Sequence, residues 1–148
     1  MIKKLLAASA FCFLAIGGFS QLNYSLGLGK SLTSEAVTAQ VGVGGRIGSL
    51  LYLEGQFRGY SNGYPAASFG SLIGAAHSWN NGKMHDLTTI FYIKADWVIA
   101  ANDGYKADPP TPFGFGIKHY IYEAFVDLGY QHSQIVFTVG YSLNSLFR

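Results

Sequence analysis

Cysteine is nearly missing from this chain. Cys12 is the single one in 148 residues, and it lies inside an apolar N-terminal run. A disulfide framework is therefore excluded, and no thiolate nucleophile or thiolate metal site can form downstream. Charge is scarce as well. Asp, Glu, Lys and Arg together make up 12% of the sequence, about half the usual share of a soluble domain. A basic stripe of the kind nucleic acids attract is absent, which removes nucleic acid as a partner. Past residue 20 no apolar run approaches the roughly 18–20 residues of a spanning helix, so transmembrane helices are not expected. Proline is rare and clustered, three of the four falling in Asp108-Pro109-Pro110-Thr111-Pro112, a stiff extended connection.

The N-terminus has its own logic. Met1-Ile2-Lys3-Lys4 is a basic start, residues 5–19 (LLAASAFCFLAIGGF) are an apolar run, and Gly18 and Ser20 put small residues at −3 and −1 of a cut before Gln21. That is the layout of a secretory signal peptide, and the run is too short for a membrane anchor. Cys12 sits mid-run after bulky Phe11, which does not fit lipoprotein acylation. The expectation is a signal peptide over 1–20 and one domain over 21–148, about 128 residues long. Losing Lys3 and Lys4 takes the formal charge from +2 to about zero,.

What is abundant is period-two alternation, the strand signal. Leu22, Tyr24, Leu26 and Leu28 share one face against Asn23, Ser25, Gly27 and Gly29. Val37, Ala39, Val41 and Val43 oppose Thr38, Gln40, Gly42 and Gly44. Leu51, Leu53 and Phe57 oppose Tyr52, Glu54, Gln56 and Arg58. The stretch 66–79 is noisier: Phe69, Ile73 and Ala75 alternate with Ser68, Gly70 and Gly74, and Leu72 breaks parity. Phe91 to Ile99 alternates with Tyr92, Lys94 and Asp96; Phe113 to Ile121 with Gly114, Gly116, Lys118 and Tyr120; Val126 to Tyr130 with Asp127 and Gly129; Ile135 to Leu143 with Thr138, Gly140, Ser142 and Asn144.

Eight such stretches, mostly of nine to eleven residues, fit tilted strands that cross a hydrocarbon layer. Ten shorter strands are the alternative count. Glycine separates a membrane barrel from a soluble sandwich. The strand glycines fall mostly on the polar face, where a wet sheet has no use for them but a narrow eight-stranded interior does. The polar face also carries charges of both signs: Glu54, Arg58, Lys94, Asp96, Lys118 and Asp127. The fold class expected is all-β, a closed antiparallel transmembrane β-barrel, with those charges in a lumen ion network beside Gln56, Tyr52, Tyr92 and Tyr120. A soluble periplasmic β-sandwich or lipocalin-like binder is the competing architecture. Links at 31–36, 59–66, 101–112 and 131–134 leave from one rim. Those at 46–49 and 122–124 leave from the other and are tight, whereas 79–86 is long for an inner turn.

The C-terminal stretch GFGIKHYIYEAFVDLGYQHSQIVFTVGYSLNSLF resembles the last three strands of small outer-membrane β-barrel proteins, and the size and hairpin rhythm of the whole domain are similar to the OmpX-like and OmpA-transmembrane-like barrels. Phe147 stands one residue short of the terminal aromatic usual in those families. The resemblance implies location in the outer membrane, insertion by the barrel-assembly machinery, contact with outer-membrane lipids, a monomer with a filled interior, and outer loops that touch partners.

Few residues point to chemistry. His77-Ser78 with Asp86 downstream loosely resembles the His-x-Ser-Asn motif of outer-membrane lipid A deacylases, in which a hydroxyl, an imidazole and a carboxylate hydrolyse an ester. Adjacent residues of a strand point to opposite faces, so His77, Ser78 and Asp86 are weak candidates. His85, His119 and His132 show no metal spacing, with His119 on the apolar face. Gly42-x-Gly44-Gly45 opens no helix and is no dinucleotide loop. Trp79, Trp97, Tyr60, Tyr64, Tyr105 and Tyr141 are placed as an aromatic girdle would be. The functional expectation is a structural or interaction protein acting through loops 59–66 and 101–112, with no metal or cofactor. A barrel enzyme acting on lipid A or phospholipid acyl chains, and a passive pore, are the alternatives.

Overall fold

The computed structural model describes residues 21–61, 67–79, 87–100 and 113–143. The signal-peptide expectation over 1–20, and Asp86, Tyr64 and Tyr105, lie outside them. Eight strands follow one another: β1 (Gln21–Ser31), β2 (Val37–Ile47), β3 (Leu51–Tyr60), β4 (Ala67–Ser78), β5 (Leu87–Ala100), β6 (Phe113–Ile121), β7 (Ala124–Gln131) and β8 (Gln134–Ser142). Each pairs antiparallel with the next, and β1 pairs with β8 through Ser25↔Ser142 to Ser31↔Val136, which closes the barrel. Closure leaves no strand edge unpaired.

Alternation drives the architecture. Valine, isoleucine and the aromatics fit a pleated surface, and a one-residue slip in register would turn every apolar side chain to the wrong side. Apart from a register shift between Ala67 and Ser68 against β5, the ladders hold one parity, and the barrel is apolar outside and mostly polar inside. Phe113 is 69% exposed and Leu28 65%, whereas Lys118 is completely buried.

The rim bearing the start of β1 also carries the β2–β3, β4–β5 and β6–β7 connections; the far rim carries the other four. Tight turns are fixed by left-handed backbone: Gly48 at φ 65 between β2 and β3, Tyr122 at φ 60 between β6 and β7. His132 and Ser133 (φ 47 and 59) form a two-residue β7–β8 turn, the left-handed pair of a type I′ hairpin. The segment 131–134 is therefore a tight turn, on the same rim as the β1–β2, β3–β4 and β5–β6 connections. Between β1 and β2, Ser31 Oγ accepts from the Thr33 and Ser34 amides at 3.3 and 3.0 Å.

Three expectations change. Leu72 does not change face: it keeps the inward parity of β4 and is buried at 2%. The interior takes apolar side chains there, packing Leu72 with Ala76, Ile90, Tyr92, Tyr52, Tyr120 and Phe125. Tyr60 belongs to the inside and not to a girdle, whereas Trp79, Trp97 and Tyr141 are exposed on the outer wall. β5 begins at Leu87, four residues before the clear alternation, because the Thr88-Thr89-Ile90 start is not polar-apolar in sequence.

Two aromatic rings are laid flat where the interior has no side chain. The Tyr92 hydroxyl lies over Gly116 and Gly129, ladder partners on β6 and β7. The Phe125 ring lies over Gly140, on the neighbouring strand, and reaches Gly27. A Cβ on Gly140 would run into the Leu26 carbonyl oxygen as well as that ring, so only glycine admits both neighbours.

Candidate functional site

The polar interior has two parts. In the half nearer the N-terminal rim, Glu54 on β3 is surrounded by donors. Lys118 on β6 brings Nζ to 3.0 and 2.9 Å from its two oxygens. The Tyr52 hydroxyl donates to Oε2 at 2.5 Å, Gln56 Nε2 to Oε1 at 2.8 Å and Ser25 Oγ to Oε1 at 3.2 Å. Lys118 Nζ also lies 4.2 Å from the centre of the Phe125 ring and 5.1 Å from that of Tyr120, a cation–π arrangement inside a desolvated space. Asn23 Nδ2 donates to the Tyr120 hydroxyl at 2.8 Å, and Ser142 Oγ donates to Asn23 Oδ1 at 2.5 Å. Side chains of β1, β3, β6, β7 and β8 thus meet across the lumen, and the apolar cluster packs directly against them. This is a closed plug of satisfied groups.

The far half is looser. Asp96 Oδ2 on β5 lies 2.9 Å from His132 Nε2, accepts from Ser68 Oγ at 3.2 Å, and is 3.7 Å from Lys94 Nζ. Asp127 accepts from the Tyr92 hydroxyl at 2.6 Å. Arg58 Nη2 donates to the neutral Gln40 Oε1. Gln131 Nε2 donates to the Tyr60 hydroxyl at 2.6 Å, and the Tyr60 and His132 rings meet edge to face.

All five residues singled out for the lumen, Glu54, Arg58, Lys94, Asp96 and Lys118, point inward and are buried. They do not form one network. Glu54 and Lys118 make direct contact, Lys94 and Asp96 approach more loosely, Arg58 binds a carboxamide, and Asp127 is taken up by a phenol. Sequence reasoning missed His132, since a turn residue has no parity to read. It also missed Phe125, which directly precedes the first clearly alternating residue of β7.

The hydrolase candidates separate. His77 faces outward with its ring perpendicular to Trp79 at 4.8 Å. Ser78 faces inward, where its Oγ accepts from Arg46 Nη1 at 2.8 Å and lies 3.2 Å from Thr88 Oγ1. The imidazole and hydroxyl are on opposite sides of the wall, as strand geometry demands. On the outer wall Thr89 Oγ1 lies 2.8 Å from His119 Nδ1 and accepts from Trp79 Nε1 at 2.8 Å. His77, Thr89 and His119 are successive ladder partners across β4, β5 and β6, so with Trp79 they form a polar belt at the N-terminal rim. Among the described residues no three His, Cys, Asp or Glu side chains converge as a metal site would require.

No family model matches the chain, and no curated protein matches it. A solved structure from the de novo design of transmembrane β-barrels is similar, with a TM-score of 0.54 at 13% identity, covering 84% of this chain and 97% of the designed one. That likeness is one of fold: the chain is an all-β, closed, eight-stranded antiparallel barrel of the kind built as a transmembrane barrel.

Proposed function

We propose that this chain is an integral outer-membrane barrel of the OmpX-like or OmpA-like type, delivered by a signal peptide over 1–20 and inserted by the barrel-assembly machinery. Its filled interior serves rigidity, and its outer loops 59–66 and 101–112 contact a surface or complex partner. The observation that carries the reading is the inverted burial. Monomeric soluble proteins rarely expose apolar patches beyond a few hundred Å², and each large side chain here is worth about 1.5–3 kcal/mol when removed from water. Outward positions run from Leu22 on β1, past Lys30 near the far rim, to Leu32 just beyond the strand, ten steps of about 3.3 Å; at a tilt of about 40° that spans about 25 Å, the height of a membrane band with its charged residue at one edge. The belt of Trp79, His77, His119 and Tyr122 suits one interface of such a band, and the outer wall between them carries an apolar groove of about 920 Å³ over Gly74, Gly116 and Gly129, a surface suited to acyl chains.

Membrane fractionation with a heat-modifiability gel tests this reading. The protein should remain in the detergent-extracted outer-membrane fraction and migrate differently before and after boiling. Recovery in the soluble periplasmic fraction with no boiling shift would overturn it. Planar-bilayer recordings should show no steady conductance, because Glu54, Lys118 and the apolar cluster fill the interior.

The second reading, an enzyme on lipid acyl chains, rests on Thr89 and His119, the hydroxyl–imidazole pair on the outer wall. Trp79 already donates to that hydroxyl, and among the described residues His119 has no hydrogen bond to a carboxylate that would orient it,. Mass spectrometry of lipid A and phospholipids from cells with and without the gene separates the two readings, and unchanged acylation removes the enzyme.

A further inference from the structure

In the far half of the lumen the unspent hydrogen-bonding capacity is almost all of one kind. Arg58 Nε, Gln40 Nε2, Gln134 Nε2 and the Thr38 hydroxyl are buried and have no hydrogen-bond partner among the described residues. Their side chains belong to residues only 1–4% exposed. Lys94 adds a buried ammonium whose nearest carboxylate oxygen is 3.7 Å away. Asp96 accepts from Ser68 on Oδ2, which also lies against His132, and Asp127 accepts from Tyr92 on Oδ1. Gln40 cannot turn its amide to help, because a guanidinium only donates and holds Oε1 towards itself,.

These groups come from β2, β3, β5 and β8. Gln40 and Arg58 are ladder partners on β2 and β3, and Thr38 is the next inward residue above Gln40. Gln134 opens β8 beside the β1–β2 turn, joined to it by Ser34 Oγ at 3.2 Å from Oε1. Lys94 projects from β5 next to Asp96. Buried donors are strongly driven to find acceptors, and a planar guanidinium with one engaged and one unused N–H is shaped for a second oxygen.

We propose that the far half of the lumen binds a small oxyanion, a phosphate or carboxylate group, seated on Arg58 with Gln40, Thr38 and Lys94 around it. A halide satisfies charge but not the two-oxygen geometry. The Gln40 carboxamide takes Nη2 as a stand-in acceptor, and Nε is left for the ligand. The plug at Glu54 and Lys118 bounds the site from below, so the ligand enters and leaves by the far rim.

The test uses the full barrel folded in detergent micelles, titrated with inorganic phosphate and followed by 31P NMR and calorimetry, with acetate and chloride as parallel arms. Saturable phosphate binding is expected, with acetate weaker and chloride weakest. Arg58→Met should weaken phosphate by about ten-fold or more, the scale of one lost charge-assisted hydrogen bond. Lys94→Met should weaken it several-fold, and Ser78→Ala, on the other rim, should leave it unchanged. Arg58→Lys keeps the charge and removes the planar arm, so it decides the case if Arg58→Met does not fold. Failure of wild type to saturate, equal affinity in both Arg58 variants and wild type, or equal binding of chloride would each overturn the site and assign the donors to water. Boiled and unboiled mobility of the same samples reports folding separately, so loss of the site and loss of the barrel are distinguishable.

Discussion

Glu54 and Asp96 are both carboxylates buried in the same barrel, and their surroundings differ. Glu54 has a lysine on both oxygens and three further donors, with aromatic rings around the lysine. Asp96 has one hydroxyl, one imidazole and a more distant ammonium, and close by it Arg58 spends a hydrogen bond on a neutral amide. Desolvating a charge is costly, and only good geometry with the remaining lone pairs satisfied repays it. The N-terminal half meets that condition inside its own side chains. The far half does not, and on the readings proposed above the difference fits a rigid plug at one end of the lumen and an exchanging site at the other.

The largest effect should follow from breaking the tight half. Lys118→Met leaves Glu54 buried without its cation, which should cost about 3–5 kcal/mol, read as a fall in the unfolding midpoint in micelles. Adding Glu54→Leu to the same chain should recover much of the loss, because the uncompensated charge is then gone. If Lys118→Met were nearly neutral, Glu54 would have to be solvated, and the plug would be no plug. Next comes Gly140→Ala, where the new methyl meets both the Leu26 carbonyl and the Phe125 ring. Overpacking of this kind costs about 1–3 kcal/mol. Phe125→Leu in the same chain should relieve the ring contact and leave the carbonyl contact, so rescue should be partial; complete rescue would mean that the backbone gives way more easily than its ladder implies.

The unequal halves also mark where reading the sequence stops. Parity is a local property, so strand number, the outward apolar face and the inward burial of Glu54, Arg58, Lys94, Asp96 and Lys118 were all legible from alternation alone. Partnership is not local. Which carboxylate Lys118 finds depends on β3 and β6 facing each other across the lumen, and nothing in either strand encodes that distance. Leu72 shows a second limit. The sequence rule equates inward with polar, but the lower lumen packs Leu72, Ile90 and Phe125, so an apolar residue in the right place looked like a break in the pattern. His132 shows a third, since a two-residue turn with left-handed backbone aims its side chain by dihedral angle and not by parity. The weakness of His77 and Ser78 as a pair was legible, because opposite faces follow from adjacency in any strand.

The smaller effects probe the loose half. Arg58→Met removes a cation that donates to the neutral Gln40 amide, so its cost should be about 1–2 kcal/mol, below that of Lys118→Met. Added phosphate should raise the unfolding midpoint of wild type and not of this variant, because a ligand that binds only the folded state stabilises it. Smallest is Ser68→Ala. It takes one of two hydrogen bonds from Asp96 and leaves His132 Nε2 in place, so about 0.5–1.5 kcal/mol is expected, the ordinary net worth of such a bond. Ser68→Ala deletes a partner of a buried ion, as Lys118→Met does, and Arg58→Met deletes a buried ion itself, so the three midpoints measured under one detergent condition rank the two halves on a single scale. A Ser68→Ala cost approaching that of Lys118→Met would mean that Asp96 is as tightly enclosed as Glu54, and the division of the lumen into a sealed end and an exchanging end would fall.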